Sequence, residues 1–526
     1  MSLRRAVGGL VATIVIAAGC RPSAPPRVAK PASTAATRES ADKLLLGAFG
    51  VLDRLDDFDE SRSMELVFER ISQWSRAAHP RAEGWRLDPL IETLPSGVRD
   101  GAGAPPLDAE AFVMPADVIW LRDERWLADI AKVARGDAVT DLDVATNLFV
   151  WTVRSLAPVA DPPMAATDDT TATRWWLPGE ILLAGRASPA QRAWIFLELV
   201  RHAGLDGAML ATTDAAGSPR PWIPTVVCDG EAHLFDPTYG MAIPGPGGAG
   251  IATARQAAAD PAILAALSLP DRPYPVQADD VAAMSVLVVA DPWSLSRRMA
   301  VLAPTARGLR DMRLVIAADE VGAAVAAALP GDAPRVRLWE FPWVTLARRR
   351  TNPDALATSL RADLAPLAAG VPGAAPTDRG LVRPLFAARV REFRGDVEGA
   401  KAAYLAARPS RDVVAGALAT LPSPAGDAAR ALLGQMKEDA AYWLGVLTLA
   451  QGEHEAAVDY LARMTLEAAP DSRWADAARQ NLGVAYAALG RDAEAAAVLR
   501  QDESPQRYGS RLVAARLERL PAPPRP

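Results

Sequence analysis

The sequence predicts an α+β domain with a small α/β subdomain, followed by an all-α array of helical repeats. Three observations indicate this fold class. A helical segment is followed by a strand hairpin within residues 140–280. Short apolar runs alternate with helical patterns over residues 281–350, which is typical of an α/β unit. Alanine-rich helical segments then recur at a constant spacing over residues 381–526, which is the signature of stacked repeats.

The composition excludes several classes of protein. Of the 526 residues, 50% are hydrophobic and 23% are charged, which excludes a wholly disordered or collagen-like chain. The 57 basic and 63 acidic residues give a net charge of −6, so we expect no nucleic-acid partner. Two cysteines and four histidines are too few for a disulfide framework or for a metal centre rich in cysteine or histidine. We therefore expect neither a metal nor a cofactor.

Residues 1–20 have the pattern of an export signal. Basic residues precede an apolar run at 6–18, which is short for a membrane core of about 30 Å. The run ends in Ala17-Ala18-Gly19-Cys20, which resembles a bacterial lipobox. The resemblance implies cleavage before Cys20 and its lipidation, hence an anchor in the membrane. Arg21 in the next position favours the outer membrane, with the protein facing the periplasm. The alternative is an ordinary signal peptide with an incidental cysteine.

The chain that follows the signal divides by composition. Residues 21–40 are rich in Pro, Ala and Ser and predict an extended spacer. Residues 41–139 predict a helical N-terminal region, because apolar residues recur at helical spacing near 41–79 and 119–134. A further helix is predicted at 141–156, where two aspartates near its start suit the free backbone amides of a first turn.

Three segments between residues 140 and 240 carry a family resemblance. They are DLDVATNLFVWTVRSL (141–156), RAWIFLELVRHAGLDGAML (192–210) and PWIPTVVCDGEAHLFDPTYG (221–240). In order and spacing they resemble the entry helix, the central helix with its following strand, and the hairpin of a transglutaminase-like domain, a papain-related fold. The resemblance implies an α+β fold over residues 140–280, a cleft near Trp222 and Trp194, and a Cys-His-Asp triad.

The residues at the triad positions do not support catalysis. The family's nucleophile, base and carboxylate positions fall on Ser188, Arg220 and Asp236. Arginine stays protonated at neutral pH and cannot act as a general base, and a serine without a base is an ordinary alcohol. We therefore expect a pseudo-enzyme. The predicted protein is a membrane-anchored cell-envelope lipoprotein that acts as a non-catalytic scaffold or protein-binding module.

Two other functions stay open at the level of the sequence. Asp229-Gly230 predicts a two-residue hairpin turn that places Cys228 and His233 on one face of the hairpin. A rearranged dyad of Cys228 and His233 would make the protein a cysteine peptidase or acyl transferase, whereas a small buried cysteine is the more ordinary interpretation. The 14 tryptophans against 7 tyrosines leave open a glycan-binding envelope protein.

Five positions within residues 381–526 recur 38 residues later. Leu444, Gly445, Gly452, Ala457 and Leu461 recur as Leu482, Gly483, Gly490, Ala495 and Leu499. This pattern resembles the tetratricopeptide repeat, in which small residues let two antiparallel helices pack closely. The resemblance implies a concave surface for a protein partner, and a generic array of helical hairpins is the alternative. Residues 351–380 predict a linker before the array, and residues 507–520 predict its capping helix.

Overall fold

The computed structural model of the protein describes most of the chain after the predicted signal. The described residues are 34–56, 60–78, 80–162, 174–214, 217–331, 334–370, 383–419 and 422–519, with the backbone alone at 34–38 and 417. The predicted signal, the lipidation site Cys20 and the first part of the predicted spacer lie outside them. Among the described residues, no helix combines the length and the apolar character that a membrane crossing requires.

The N-terminal region is helical, as its periodicity predicts. Its helices are α1 (Thr34–Leu52), α2 (Glu60–Ala78), α3 (Ser96–Gly101), α4 (Ala116–Arg135) and α5 (Asp141–Ser155). Helix α1 begins inside the predicted spacer, which corrects that boundary. The last proline of the spacer is Pro31, and the alanine-rich chain beyond it can therefore continue as a helix. The Thr140 side chain accepts a hydrogen bond from the Asp143 amide and so caps α5.

The central helix of the body is almost entirely buried. Helix α7 (Pro189–Ala203) follows α6 (Pro178–Ala184), and a short parallel pair, β1 (Ala157–Pro158) and β2 (Arg186–Ala187), lies beside them. Helix α7 ends at Gly204, whose φ of 85° is accessible to glycine without strain. It packs against α4 and α5 and against the sheet, so its position determines that of the residues around the predicted cleft.

A mixed six-stranded sheet forms the other layer of the body. Its strands are β3 (Gly207–Thr213), β4 (Pro219–Cys228), β5 (Glu231–Asp236), β6 (Met241–Ala242), β7 (Ser285–Val288) and β8 (Val336–Leu338). Their order in the described sheet is β6-β5-β4-β3-β7-β8, and only β7 and β8 run parallel. Asp229 and Gly230 both have positive φ in the turn between β4 and β5, and Cys228 pairs with Glu231 as predicted.

The predicted α/β subdomain is not a separate unit. Strand β7 pairs directly with β3, with Met209 opposite Leu287, so residues 281–350 extend the sheet of the preceding domain. This pairing covers an edge of β3 that would otherwise be exposed. The apolar run at 312–317, which resembles a strand in sequence, has no strand partner in the described sheet. Three short helices precede β7, namely α8 (Ala254–Ala259), α9 (Pro261–Ala265) and α10 (Ala278–Ala282). The helices after β7 are α11 (Arg297–Arg310), α12 (Ala318–Ala328) and α13 (Phe341–Thr351).

The predicted linker is described over residues 351–370, and most of that part is a packed helix, α14 (Pro353–Ala368). Proline suits the first turn of a helix and alanine favours its interior, so the composition that suggested a loop also permits this helix. Asp363 of α14 is 4% exposed and forms ion pairs with Arg174, Arg186 and Arg473. The segment therefore ties the array to the body.

The C-terminal region consists of successive helical hairpins. Its helices are α15 (Pro384–Phe393), α16 (Val397–Ala406), α17 (Arg411–Leu418), α18 (Ala425–Ala450), α19 (His454–Val458) with a π-helical continuation at Asp459–Glu467, α20 (Ala475–Ala488), α21 (Asp492–Leu499) and α22 (Arg507–Leu517). Gly452 and Gly490 have φ of 75° and 70° in the turns between paired helices. Ala457 and Ala495 are fully buried, which is the close packing that these small residues predict.

The helical array is docked on the body. The Asn481 side-chain amide donates to the Arg154 carbonyl at 3.2 Å, and Arg389 Nη2 donates to the Leu182 carbonyl at 2.7 Å. The Arg192 guanidinium of α7 donates to Gln506 Oε1 at 2.6 Å, just before α22. The array therefore buries part of its surface against the body. The concave surface that the repeat resemblance implies stays a prediction.

Candidate functional site

Ser188, at the predicted nucleophile position, caps helix α7. Its hydroxyl accepts a hydrogen bond from the Gln191 amide at 3.3 Å, and Gln191 Oε1 accepts one from the Ser188 amide at 3.0 Å. This reciprocal pair is a capping box, and Pro189 occupies the first helical position. Ser188 is fully buried. Its side chain therefore has a structural task and is closed to a substrate.

Asp236, at the third triad position, is held by three donors. Oδ1 accepts hydrogen bonds from the backbone amides of Thr238 and Tyr239 at 2.8 and 2.9 Å, and Oδ2 accepts one from the Tyr274 hydroxyl at 2.8 Å. Asp236 is 3% exposed, and burial raises the pKa of its carboxyl group while these donors oppose the change. The carboxylate therefore fastens the end of the hairpin.

Tyr274 also links Asp236 to the predicted cleft tryptophan. The Trp222 indole Nε1 donates to the Tyr274 hydroxyl at 3.2 Å, and the two rings meet edge to face with centroids 6.3 Å apart. Arg220, at the predicted base position, is exposed on β4 two residues before Trp222. The structure therefore brings Trp222 and Asp236 together through Tyr274 and leaves Arg220 at the surface. Sequence analysis missed Tyr274, because it lies 38 residues beyond its partner in an irregular segment.

Cys228 and His233 have the register that the hairpin turn predicts, without forming a dyad. His233 lies opposite Val226 in the ladder, and Cys228 is 1% exposed. Burial raises the pKa of the Cys228 thiol to about 12, and the Asp141 carboxylate acts in the same direction. Burial lowers the pKa of His233, whose Nδ1 has no hydrogen-bond partner. In the hydrogen bonds of the described chain, none connects the thiol to this ring.

Trp194 is a core residue rather than a cleft residue, which corrects its predicted role. It is 1% exposed, and its indole donates to Glu198 Oε1 at 3.2 Å. Its ring meets Phe341 at 89° with centroids 6.0 Å apart, in a buried cluster that includes Trp175 and Trp339. Two aromatic residues of this cluster, Trp339 and Phe341, come from the chain beyond β7. The sequence predicted that part as a separate unit, and the packing of Trp194 against Phe341 was therefore not expected.

A buried network of charges joins α4 to α7. Arg201 Nη2 lies 2.5 Å from Glu124 Oε2 and 2.6 Å from Glu198 Oε2, and His202 Nε2 lies 2.9 Å from Glu124 Oε2. Burial opposes the charge of Arg201, but the two carboxylates prevail and raise its pKa. Burial, together with the neighbouring Arg201, lowers the pKa of His202 well below its usual value, so its ring is neutral at pH 7. The network therefore links α4 to α7 through charged groups that are shielded from water.

A cavity of about 460 Å³ lies between the body and the end of the array. Helix α5 contributes Phe149, Val150 and Val153 to its wall, and α20 contributes Val484 and Ala487. Val150 and Val484 are 47% and 56% exposed, so the cavity is open to solvent on that side. Arg154 also lines it. Sequence analysis did not identify this site, because its walls are more than 300 residues apart in the chain.

The comparisons with known proteins do not assign this chain to a family. No protein-family model matches the sequence, and neither the curated proteins nor the solved structures contain a match. Within the described residues, no three histidine, cysteine, aspartate or glutamate side chains are grouped so that they could hold a metal ion. The function is therefore argued from the geometry of the triad positions and of the cavity.

Proposed function

We propose that this protein is a membrane-anchored lipoprotein of the cell envelope. In this proposal its transglutaminase-like domain is non-catalytic, and its repeat-like C-terminal helices bind a partner. The observation that carries the proposal is the use of the three triad positions. Ser188 caps a helix, Arg220 faces solvent, and Asp236 is bound to Tyr274. Ser188 and Asp236 are therefore engaged in structural hydrogen bonds, and Arg220 is an exposed side chain that cannot act as a general base.

The chemistry of acyl transfer supports a silent domain. Such an enzyme needs a thiolate, an imidazole to deprotonate it and a carboxylate to orient that imidazole. Burial raises the pKa of the Cys228 thiol to about 12, so the thiol stays protonated at pH 7. The neighbouring carboxylate of Asp141 opposes ionisation of the Cys228 thiol. A catalytic cysteine instead has a cation beside it, which favours the thiolate. The environment of Cys228 thus favours the role of a small buried apolar residue.

The burial of many tryptophan side chains weakens the glycan-binding alternative. A sugar platform needs exposed tryptophan faces, whereas many of the tryptophans have their largest surfaces inside the core. The fully buried ones are Trp74, Trp126, Trp176, Trp194, Trp343, Trp443 and Trp474. The C-terminal helices can bind a partner only through the part of their surface that the body leaves open. In our proposal a protein partner approaches there, with the lipid anchor at Cys20 keeping the molecule at the outer membrane.

The test is the reactivity of the Cys228 thiol. In a full chain carrying Cys20→Ser, Cys228 is the only cysteine, so alkylation by iodoacetamide at pH 7 reports on it alone. We expect labelling to be slow in the native protein and to become fast in denaturant. We also expect the native rate to be the same in His233→Ala. Fast native labelling that saturates below pH 8 and slows in His233→Ala would overturn the proposal in favour of a peptidase or acyl transferase.

A further inference from the structure

The cavity between α5 and the C-terminal helices combines apolar walls with one unpaired cation. Apart from the residues of α5 and α20, its apolar lining includes Val513 and Leu517 of α22. Among the described residues that line it, Arg154 is the only arginine or lysine, and none is an aspartate or glutamate. The cavity volume of about 460 Å³ falls in the range of roughly 300–1,000 Å³ that small-molecule sites occupy.

The guanidinium of Arg154 forms no ion pair with a carboxylate of the described chain, and its buried Nε atom has no hydrogen-bond acceptor. The buried Arg192 also lacks a carboxylate partner, but its guanidinium donates to backbone carbonyls and to Gln506 Oε1. In contrast, Arg298 binds Asp117 at 2.9 Å and Arg389 binds Glu392 at 2.8 Å. Glu392 acts on Arg154 only at longer range, because its carboxylate is occupied by Arg389 and the Tyr404 hydroxyl. A buried cation without a counter-ion is costly, so its presence needs an explanation.

We infer that this cavity binds an amphipathic monoanion, whose carboxylate pairs with Arg154 and whose aliphatic tail lies between α5 and the helices α20 and α22. A guanidinium binds a carboxylate through two parallel hydrogen bonds, which matches one unpaired arginine to one negative charge. Nine of the 22 lining residues are valine, leucine or alanine, and with Phe149 and Met241 they offer apolar surface that suits a hydrocarbon chain. The inference goes beyond the proposed function, and it depends neither on the protein partner nor on the non-catalytic domain.

The single charge argues for a carboxylate rather than for a phosphate dianion. A dianion in a partly buried site calls for a second cation, and the described lining offers no second arginine or lysine. The ring of His454 also lines the cavity, and its Nδ1 is buried without a partner, so it can supply one further polar contact. The mouth beside Val150 and Val484 leaves room for the tail to enter from solvent.

The probes are dodecanoate and dodecanol, titrated by calorimetry below their aggregation limits into a full chain carrying Cys20→Ser. We expect saturable binding of dodecanoate and weaker binding of dodecanol. Arg154→Gln should weaken dodecanoate binding about tenfold or more, which is the usual effect of losing a hydrogen bond to a charged group. The same change should leave dodecanol binding unaltered. Arg135→Gln, at an exposed arginine outside the cavity, is the matched control and should change neither affinity.

A second variant keeps the inference testable if Arg154→Gln fails to fold. Val484→Glu places a carboxylate at the cavity mouth on an exposed residue, so the fold should be retained while dodecanoate binding is weakened. Val139→Glu, at a residue that is 87% exposed and outside the cavity, should bind both probes normally. The inference is overturned if the parent chain binds neither probe, or if dodecanoate binds Val484→Glu as tightly as the parent. It is also overturned if an apolar peptide with a free C-terminal carboxylate binds more tightly than dodecanoate. These failures differ from fast labelling of Cys228, which would overturn the proposed function instead.

Discussion

The backbone of Gly483 lies directly against the side chain of Leu499. A methyl group added at Gly483 would stand 2.6 Å from Leu499 Cγ, which is closer than packed carbon atoms allow. The preceding hairpin has the same relationship between Gly445 and Leu461, where the added methyl group would stand 2.7 Å from Leu461 Cδ2. The sequence recurrence of 38 residues therefore corresponds to a recurring helix–helix contact in space.

Replacing Gly483 should separate the two helices of the last hairpin. We expect Gly483→Leu to lower the free energy of unfolding by about 2 kcal/mol or more, because the larger side chain must displace Leu499 or the helix that carries it. The measurement is the urea dependence of the helical circular-dichroism signal. Gly434→Ala is the control, since an added methyl group there meets nothing within 4 Å. It should be neutral or stabilise the helix by about 0.5–1 kcal/mol. Equal stability of Gly483→Leu and the parent would contradict the close contact.

The lipobox resemblance predicts how the chain is processed. We expect the mature protein to begin at Cys20 and to partition into the detergent phase, because acyl chains supply the apolar surface that the described helices do not. Cys20→Ser should block lipidation and move the protein to the aqueous phase. Mass spectrometry of the mature amino terminus and phase partitioning measure the two effects. A mature chain that begins at any other residue would refute the anchor.

Asp129 predicts a pH dependence of stability. Burial raises the pKa of its carboxyl group to about 6, while Arg125, 2.8 Å away, opposes the change. The pKa is higher in the folded state, so the contribution of Asp129 to stability is fully present below about pH 4 and is lost as the pH rises through 6.

We therefore expect Asp129→Asn to flatten the dependence of unfolding free energy on pH between about 4 and 6, with a change on the order of 2 kcal/mol. Urea titrations at a series of pH values measure it. Asp137→Asn removes an exposed carboxylate just beyond α4 and should leave the pH profile as in the parent. A profile for Asp129→Asn that parallels the parent at every pH would contradict the buried carboxyl group.

Local patterns predicted the features that depend on neighbouring residues. The helix at 141–156, the hairpin turn at Asp229-Gly230 and the register of Cys228 with Glu231 all follow from short-range rules of capping, turn geometry and alternation. The small residues of the repeats likewise predicted close helix pairs.

The sequence by itself thus determined most helices and the hairpin register, whereas the tertiary structure decided which surfaces are covered. Only the fold shows that β7 joins β3, that Trp194 packs against Phe341, and that the array closes over the body. Helix and turn formation depend on contacts between residues a few positions apart. The covering of a surface depends on which distant elements offer matching apolar and hydrogen-bonding groups, as Arg192 and Gln506 do across 314 positions. The position of Arg154 at the cavity without a carboxylate partner likewise depends on distant elements, so it could not be predicted from the sequence.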